Sequence, residues 1–305
     1  MKAVVTGGAG FIGSHLVEEL IRQGFNVHII DNLISGKYDN IHPLATFHIE
    51  DICSDKAKQI ILDEKPDVVF HLAAQADVSR SIQSPQYDAD VNIKGTINLL
   101  EACRDASVGK FIFASTSAVY GNLQKELITE QDATVPASYY GLSKLAAESY
   151  IRLFHYLYNL PYTILRYGNV YGPRQTPKGE GGVVAVFLER LSKGLSLNIH
   201  GDGEQTRDFI YVKDIVQANI AAIKKGNQEV VHASTTKKTS VNDLLKNLEY
   251  IHGSNIDVVY TEGRPGDIKH SCLDSEKAQK LLEWSSRVSV LEGLKETYTF
   301  SRKKA

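Results

Sequence analysis

The chain has 305 residues, enough for one large domain or two fused ones, and its 43% hydrophobic and 23% charged residues are those of a soluble globular protein. A net charge of −2, with no basic stripe beyond Arg302-Lys303-Lys304, argues against a nucleic-acid partner. No apolar run is long enough to cross a bilayer and the opening residues lack the layout of a secretion signal, so no membrane partner is expected and a cytoplasmic location is. Cys53, Cys103 and Cys272 have no metal-type spacing and read as reduced thiols. The ten histidines are scattered, so no metal site is expected.

The first apolar run, 3–5, reads as a buried strand; a glycine-dense turn and an amphipathic run, 16–21, follow it. The glycines fit two spacings, Gly8/Gly10/Gly13 and Gly7/Gly10/Gly13. Between a strand and a helix, such glycines leave the helix mouth open to a diphosphate; a tight turn with no ligand is the plainer alternative. The next strand, 26–30, ends in Asp31, near the distance expected of an acid that accepts hydrogen bonds from both hydroxyls of an adenosine ribose. Its charge repels a 2′-phosphate, which favours NAD over NADP.

Apolar runs at 46–49, 67–72, 110–115 and 162–167 alternate with helical patterns at 87–106 and 141–157. This alternation predicts an α/β fold, a doubly wound parallel sheet with ligands at the carboxyl ends of its strands. After Tyr167 the texture changes: 168–182 is rich in Gly and Pro, helical patterns recur at 183–193, 214–224 and 290–300, and an apolar piece lies at 209–212. The expected division is a dinucleotide-binding domain of 1–167 plus about 208–235, and a smaller α+β cap of about 168–207 and 236–305.

Tyr140 and Lys144 stand four apart in a predicted helix and share a face. A free phenol titrates near 10, so a nearby ammonium is needed to favour the phenolate; a surface pair at helical spacing is the ordinary alternative. Ser115-Thr116-Ser117 ends a strand at the same carboxyl edge, where a hydroxyl can hold a substrate hydroxyl or simply cap the next turn.

Thr6-Gly-Gly-Ala-Gly-Phe-Ile-Gly13, His71-Leu-Ala-Ala74, Ser115-Thr116, Tyr140-x-x-x-Lys144, Leu165-Arg-Tyr-Gly-Asn169, Arg207-Asp-Phe-Ile-Tyr-Val212 and Arg264-Pro-Gly-Asp267 occur in that order. Together they resemble the extended short-chain dehydrogenase/reductases that act on nucleotide sugars, most of all the UDP-glucose 4-epimerases, over nearly the whole chain. The resemblance implies a Rossmann domain with an NAD site made by Gly7, Gly10, Phe11, Ile12, Gly13, Asp31, Asn32, Ser35, Gly36, Asp51, Ile52, Leu72, Ala73, Ala74, Gln75, Asn92, Tyr140, Lys144 and Tyr167. It implies Tyr140 as base and later acid, Lys144 as its tuning cation and Thr116 as the hold on the sugar 4-hydroxyl. A UDP-sugar would lie among Thr116, Tyr140, Asn169, Gly182, Val183, Asn198, His200, Arg207, Arg264, Asp267 and Ser271, with Asn169 and the two arginines on the diphosphate.

The implied reaction oxidises C4 to a ketone, turns the sugar over while UDP stays anchored, and reduces C4 from the other face. Three alternatives remain. A 4,6-dehydratase needs an acid and base after the threonine, where this chain has Ser117-Ala118. A UDP-glucuronate epimerase or decarboxylase differs mainly in pocket details. A non-catalytic NAD sensor would have no need of Thr116, Tyr140 and Lys144. The small Ser271, where related epimerases carry a residue beside the sugar's 2-substituent, suggests room for UDP-GlcNAc and UDP-GalNAc as well as UDP-glucose and UDP-galactose. Leu282-Glu283-Trp284 departs from a Leu-Gly-Trp pattern and puts that turn in doubt. Apolar faces on the helices around 90–106 and 140–157 suggest a homodimer.

Overall fold

A computed structural model describes residues 1–123, 125–177, 182–263 and 269–304. The opening run forms β1 (Lys2–Thr6), whose side chains alternate: Ala3 and Val5 pack to one side of the sheet and Val4 to the other. Both faces are covered, so the strand needs no polar side. The same logic makes β2 (Asn26–Asp31), β3 (Thr46–Ile49), β4 (Val68–His71), β5 (Lys110–Thr116) and β6 (Tyr162–Tyr167). Later come β7 (Asn169–Tyr171), β8 (Leu197–His200), β9 (Thr206–Arg207), β10 (Phe209–Tyr211), β11 (Glu229–Ala233), β12 (Thr239–Ser240) and β13 (Val258–Thr261). Among the described residues, seven parallel strands join in the order β11-β6-β5-β4-β1-β2-β3. The order turns back between β1 and β4, which is where a doubly wound sheet opens a crevice.

The helices are α1 (Phe11–Arg22), α2 (Asp55–Glu64), α3 (Val78–Gln83), α4 (Pro85–Ala89), α5 (Gly95–Asp105), α6 (Tyr139–Tyr158), α7 (Val183–Ser192), α8 (Val212–Ala222), α9 (Val241–His252), α10 (Glu276–Leu282) and α11 (Val290–Lys304). Leu16 and Leu20 of α1 cover one face of the sheet with Ile215 and Ala218 of α8. Ile61 of α2, Leu99 of α5 and Ile151 of α6 cover the other. A separate cluster joins Phe187 of α7, Ile199 of β8, Leu244 of α9 and Leu294 of α11. It sits beyond the carboxyl edge, where Phe11 and Ile12 of α1 also reach it.

Two elements depart from the sequence pattern. The helix expected over 87–106 is α4 and α5 joined by a π-helical stretch, Asp90–Lys94, which inserts an extra residue per turn that apolar spacing does not reveal. The short α3 is started by Asp77, whose carboxylate accepts from Ser79 N and Arg80 N, and is too brief to show a period. The doubtful turn at Leu282-Glu283-Trp284 does form. Glu283 takes the left-handed conformation, φ 52°, at the end of α10. The Trp284 indole N–H donates to Asp214 O at 3.1 Å, and the Asp214 carboxylate accepts from Arg287 N and Val288 N.

Candidate active site

Gly7 has φ 71°, and a Cβ there would stand 2.8 Å from Ala73 N; a Cβ on Gly13 would stand 2.1 Å from Gly7 O. These two glycines let α1 fold back onto its own loop and the loop onto the end of β4. Gly10 is the N-cap of α1 and supplies no side-chain cap, so the first-turn N–H groups keep their capacity to bind an anion. Asp31, at the end of β2, is buried; its Oδ2 accepts from Ala9 N at 3.0 Å and its Oδ1 from Leu33 N at 2.8 Å. Burial pushes this carboxyl up, against the pull of those two N–H groups. A Cβ on Gly36 would come 2.7 Å from Asp31 Oδ1, so only glycine lets that loop close on the acid.

Asp31 opens onto a cavity of about 620 Å³, which Asn32, Ser35, Gly36, Asp51, Ile52, Ala73, Ala74 and Gln75 also line. Asn32 Nδ2 donates to Asp51 Oδ2 at 2.8 Å. Burial raises the Asp51 carboxyl, but hydrogen bonds from Cys53 N–H and Asn32 outweigh it and hold the group below its ordinary value. An anion-ready helix mouth beside a buried ribose-facing acid fits NAD and disfavours a 2′-phosphate.

A second cavity, about 650 Å³, shares Ala76 with the first, so the two are adjoining halves of one cleft. Its wall brings together Phe11, Ile12, Thr116, Tyr140, Tyr167, Asn169, Gly182, Val183, Asn198, His200, Arg207 and Ser271. Thr116 ends β5 and does cap the next turn, its Oγ1 accepting from Ala118 N at 3.1 Å, yet it keeps its place in the wall. Tyr140 lies in the first turn of α6, which Ser138 caps by accepting from Gly141 N at 3.1 Å. A Cβ on Gly141 would stand 2.6 Å from Ala118 O, so this glycine lets α6 press against the turn after Thr116 and carries Tyr140 to the cavity. Gly182, at the N-cap of α7, supplies no side-chain cap either, a second open helix mouth.

Other expected residues lie behind the walls. Lys144 is buried, with Nζ donating to Ala114 O at 2.8 Å and 4.5 Å from the centre of the Phe113 ring. Tyr167, by contrast, keeps its place in the wall while its hydroxyl bonds Asn219 of α8. Gly7, Gly10, Gly13 and Leu72 shape the loop rather than the cavity surfaces. Asn92, in the π-helical stretch, spends its amide on the chain itself: Oδ1 accepts from Gln75 N at 2.9 Å and Nδ2 donates to Gln75 O and Ser143 Oγ. Arg264 and Asp267 lie outside the described residues.

The wall also holds residues that sequence reasoning missed. Arg190, on α7 seven residues after Val183, and Gln205 line the larger cavity. Helical spacing from Val183 was the available signal for Arg190. Arg80, stacked 4.2 Å over the Tyr87 ring, lines the other half and belongs to no motif. His71 explains the His-Leu-Ala-Ala run. Thr96 Oγ1 gives its hydrogen to Asn92 O, so it accepts from His71 Nε2–H at 2.9 Å, and the neutral ring's Nδ1 accepts from Thr6 Oγ1 at 2.8 Å; Thr6 Oγ1 in turn accepts from Ala73 N. Burial, then Lys144, drives this ring well below its ordinary pKa, and it ties β1, β4 and α5 together as a neutral strut.

The family model described as the NAD dependent epimerase/dehydratase family matches residues 3–234. The chain belongs to that family. The match runs from the first strand through α6 to the last strand of the seven-stranded sheet, and the family's cofactor, NAD, is this chain's cofactor. A putative UDP-glucose 4-epimerase of Methanocaldococcus jannaschii is 44% identical over 96% of this chain and 95% of that one. A solved UDP-glucose 4-epimerase with UDP-glucose, from Thermotoga maritima, matches with a TM-score of 0.97 at 46% identity, covering 100% of this chain and 99% of that one. A Thermus thermophilus UDP-glucose 4-epimerase in complex with NAD matches at 0.94 and 37%, covering 100% of both. The chain is thus an extended short-chain dehydrogenase/reductase of the epimerase type. Among the described residues there is no cluster able to hold a metal and no helix long and apolar enough to cross a membrane.

Proposed function

We propose that this enzyme interconverts the C4 epimers of a UDP-hexose, UDP-glucose and UDP-galactose, through a 4-keto sugar. The observation that carries the reading is the shared wall: Thr116, Tyr140, Asn169 and Arg207 border one cavity that adjoins, at Ala76, the half holding Asp31. NAD, when bound, supplies the redox chemistry, taking two electrons and a hydrogen nucleus from the sugar carbon and giving them back. Tyr140 takes the 4-hydroxyl proton and later returns it. The positive end of α6 and Lys144, one turn on, lie on the side that favours its ionised form. Thr116 holds the 4-oxygen. The open mouth of α7 at Gly182-Val183, with Asn169 and Arg207, grips the diphosphate, and Asn198 and His200 line the same cavity; Arg264 and Asp267, outside the described residues, are assigned to the UDP-sugar by their motif alone. A firm hold on UDP and a loose one on the ring is what inversion at one carbon requires. Ser117 and Ala118 both wall the cavity, and neither is a proton-exchanging group near neutral pH, which counts against a dehydratase.

The two-unit division at 1–167 with about 208–235, against the rest, belongs to this reading; the distinct cluster around Phe187 and Leu244 supports it. So does a cytoplasmic location, supported by three free thiols. Purified protein given UDP-glucose, UDP-GlcNAc and UDP-glucuronate separately tests the substrate, and no product from any UDP-hexose would refute it. Ser271 lines the same cavity. Ser271→Tyr is expected to lower kcat/KM for UDP-GlcNAc at least about tenfold more than for UDP-glucose, a loss of about 1.4 kcal/mol of selective binding. An unchanged ratio of the two activities would reject the open 2-substituent pocket.

We also propose a homodimer. Leu142, Leu153, Tyr156 and Leu157 of α6 are all half or more exposed, Tyr156 at 81%, an apolar stripe unusual for a surface without a partner. Light scattering should give twice the chain mass, and Leu153→Asp should shift it to one; a wild-type monomer at micromolar concentration would contradict this.

A further inference from the structure

We propose that Glu148, forked to Arg166, is a positioning residue that sets the catalytic helix against the strand carrying Thr116. The inference rests on the reading of Tyr140 and Thr116 given above. Glu148 lies on α6 one turn after Lys144 and two turns after Tyr140, so it marks the face of the helix that looks into the protein. It is fully buried. Its Oε1 accepts from Ser115 Oγ at 2.6 Å and Arg166 Nε at 2.9 Å, and its Oε2 from Arg166 Nη2 at 2.6 Å and Arg152 Nη2 at 3.2 Å. Four donors fill the four acceptor positions of one carboxylate.

What those donors belong to gives the pair its meaning. Ser115 immediately precedes Thr116, and Arg166 immediately precedes Tyr167. Arg166 Nη1 donates to the Tyr120 hydroxyl at 2.7 Å, at the end of the turn whose Ser117 and Ala118 wall the cavity. Having accepted there, Tyr120 donates to His232 Nε2 at 2.6 Å, which assigns the proton to His232 Nδ1, and that N–H donates to Asp274 O at 2.8 Å. Burial holds His232 down to about 3, so the ring is a neutral acceptor. The segment ending at Asp274 carries Ser271, and it is bridged to Ile128 through Leu273. One buried carboxylate therefore connects, bond by bond, the elements that bear Thr116, Tyr140, Tyr167 and Ser271.

Stability alone is a weak reason for such a pair, because apolar residues of similar volume commonly do as well as a buried ion pair. Geometry is a better one. The fork fixes the helix in rotation and along its axis at once. A displacement of about 1 Å at a reacting group can cost about 10²-fold in rate.

The test uses the NAD-loaded protein. Glu148→Leu/Arg166→Met removes both charges together, so neither is left buried alone, and Arg166→Lys keeps the charge while losing the fork. In both, kcat for the UDP-hexose is expected to fall about 10–100-fold with KM within about threefold. The Tyr140 phenol, followed as the ultraviolet difference between each protein and its Tyr140→Phe version, is expected to titrate about half a pH unit or more higher than in the parent. Arg166→Lys guards against failure of the double variant to fold. Wild-type kcat and wild-type Tyr140 titration in either folded variant would make the pair structural only and overturn the proposal. The phenol titration needs no substrate, so it still reads the positioning role if the parent turns over no UDP-sugar, an outcome that would refute the proposed function instead.

Discussion

Tyr140→Phe is expected to lower turnover by about 10²–10⁴-fold, the usual share of a positioned acid–base group, while NAD content and the affinity for UDP stay near those of the parent. The ring still fills its place in the cavity wall, and the α6 cap at Ser138, which does not involve the hydroxyl, is kept. What is lost is the hydroxyl to which the proposed proton transfer is assigned. The measurement is the rate of UDP-galactose formation from UDP-glucose, with cofactor content checked by absorbance after denaturation. Retention of turnover within about threefold would remove Tyr140 from the chemistry and return the NAD-sensing reading to consideration.

Gly13→Ala should be as damaging for a different reason. The added methyl would meet three backbone atoms, Gly7 O at 2.1 Å, Gly7 C at 2.8 Å and Gly8 Cα at 2.9 Å, and none can swing aside. Either α1 lifts from its loop or the loop leaves Ala73, and both spoil the helix mouth proposed to seat the cofactor diphosphate. Loss of at least about 100-fold in NAD affinity is expected, roughly 2.7 kcal/mol, with circular dichroism showing the helices kept. Normal NAD content in this variant would mean the loop does not seat the cofactor as described.

The sheet was legible because its strands obey simple rules. Val68–His71 and Lys110–Thr116 are dense in apolar residues and bounded by turn-formers, and burial on both faces is the reason. The edge strand Glu229–Ala233 was harder to read, since it opens on a charge and follows the polar stretch around Lys224-Lys225. In the site, Thr116 and Tyr140 could be found from strand end and helix spacing, and both reach one cavity. Asn92 could be recognised but not understood: its neighbours Gln75 and Ser143 are distant in sequence, and the π-helical stretch that contains it leaves no trace in apolar period. Glu148 and Arg166 were silent for the same cause. Glu148 looks like an ordinary helix charge, and Arg166, inside an apolar run and a motif, gives no hint of its partner until β6 is laid beside the helix; pairing across elements is a property of the assembled sheet.

Glu283 is a reserve of stability that this chain leaves unspent. Its side chain is largely exposed and its ion pair with Lys225 lies at the surface, where such contacts contribute about 0–1 kcal/mol. An L-residue in that backbone conformation carries a penalty of about 1–2 kcal/mol that glycine escapes. Glu283→Gly should therefore harden the protein against urea by roughly 0.5–1 kcal/mol and leave turnover untouched, since α10 takes no part in either half of the cleft. A midpoint equal to or below the parent's would show that the strain is already relieved elsewhere.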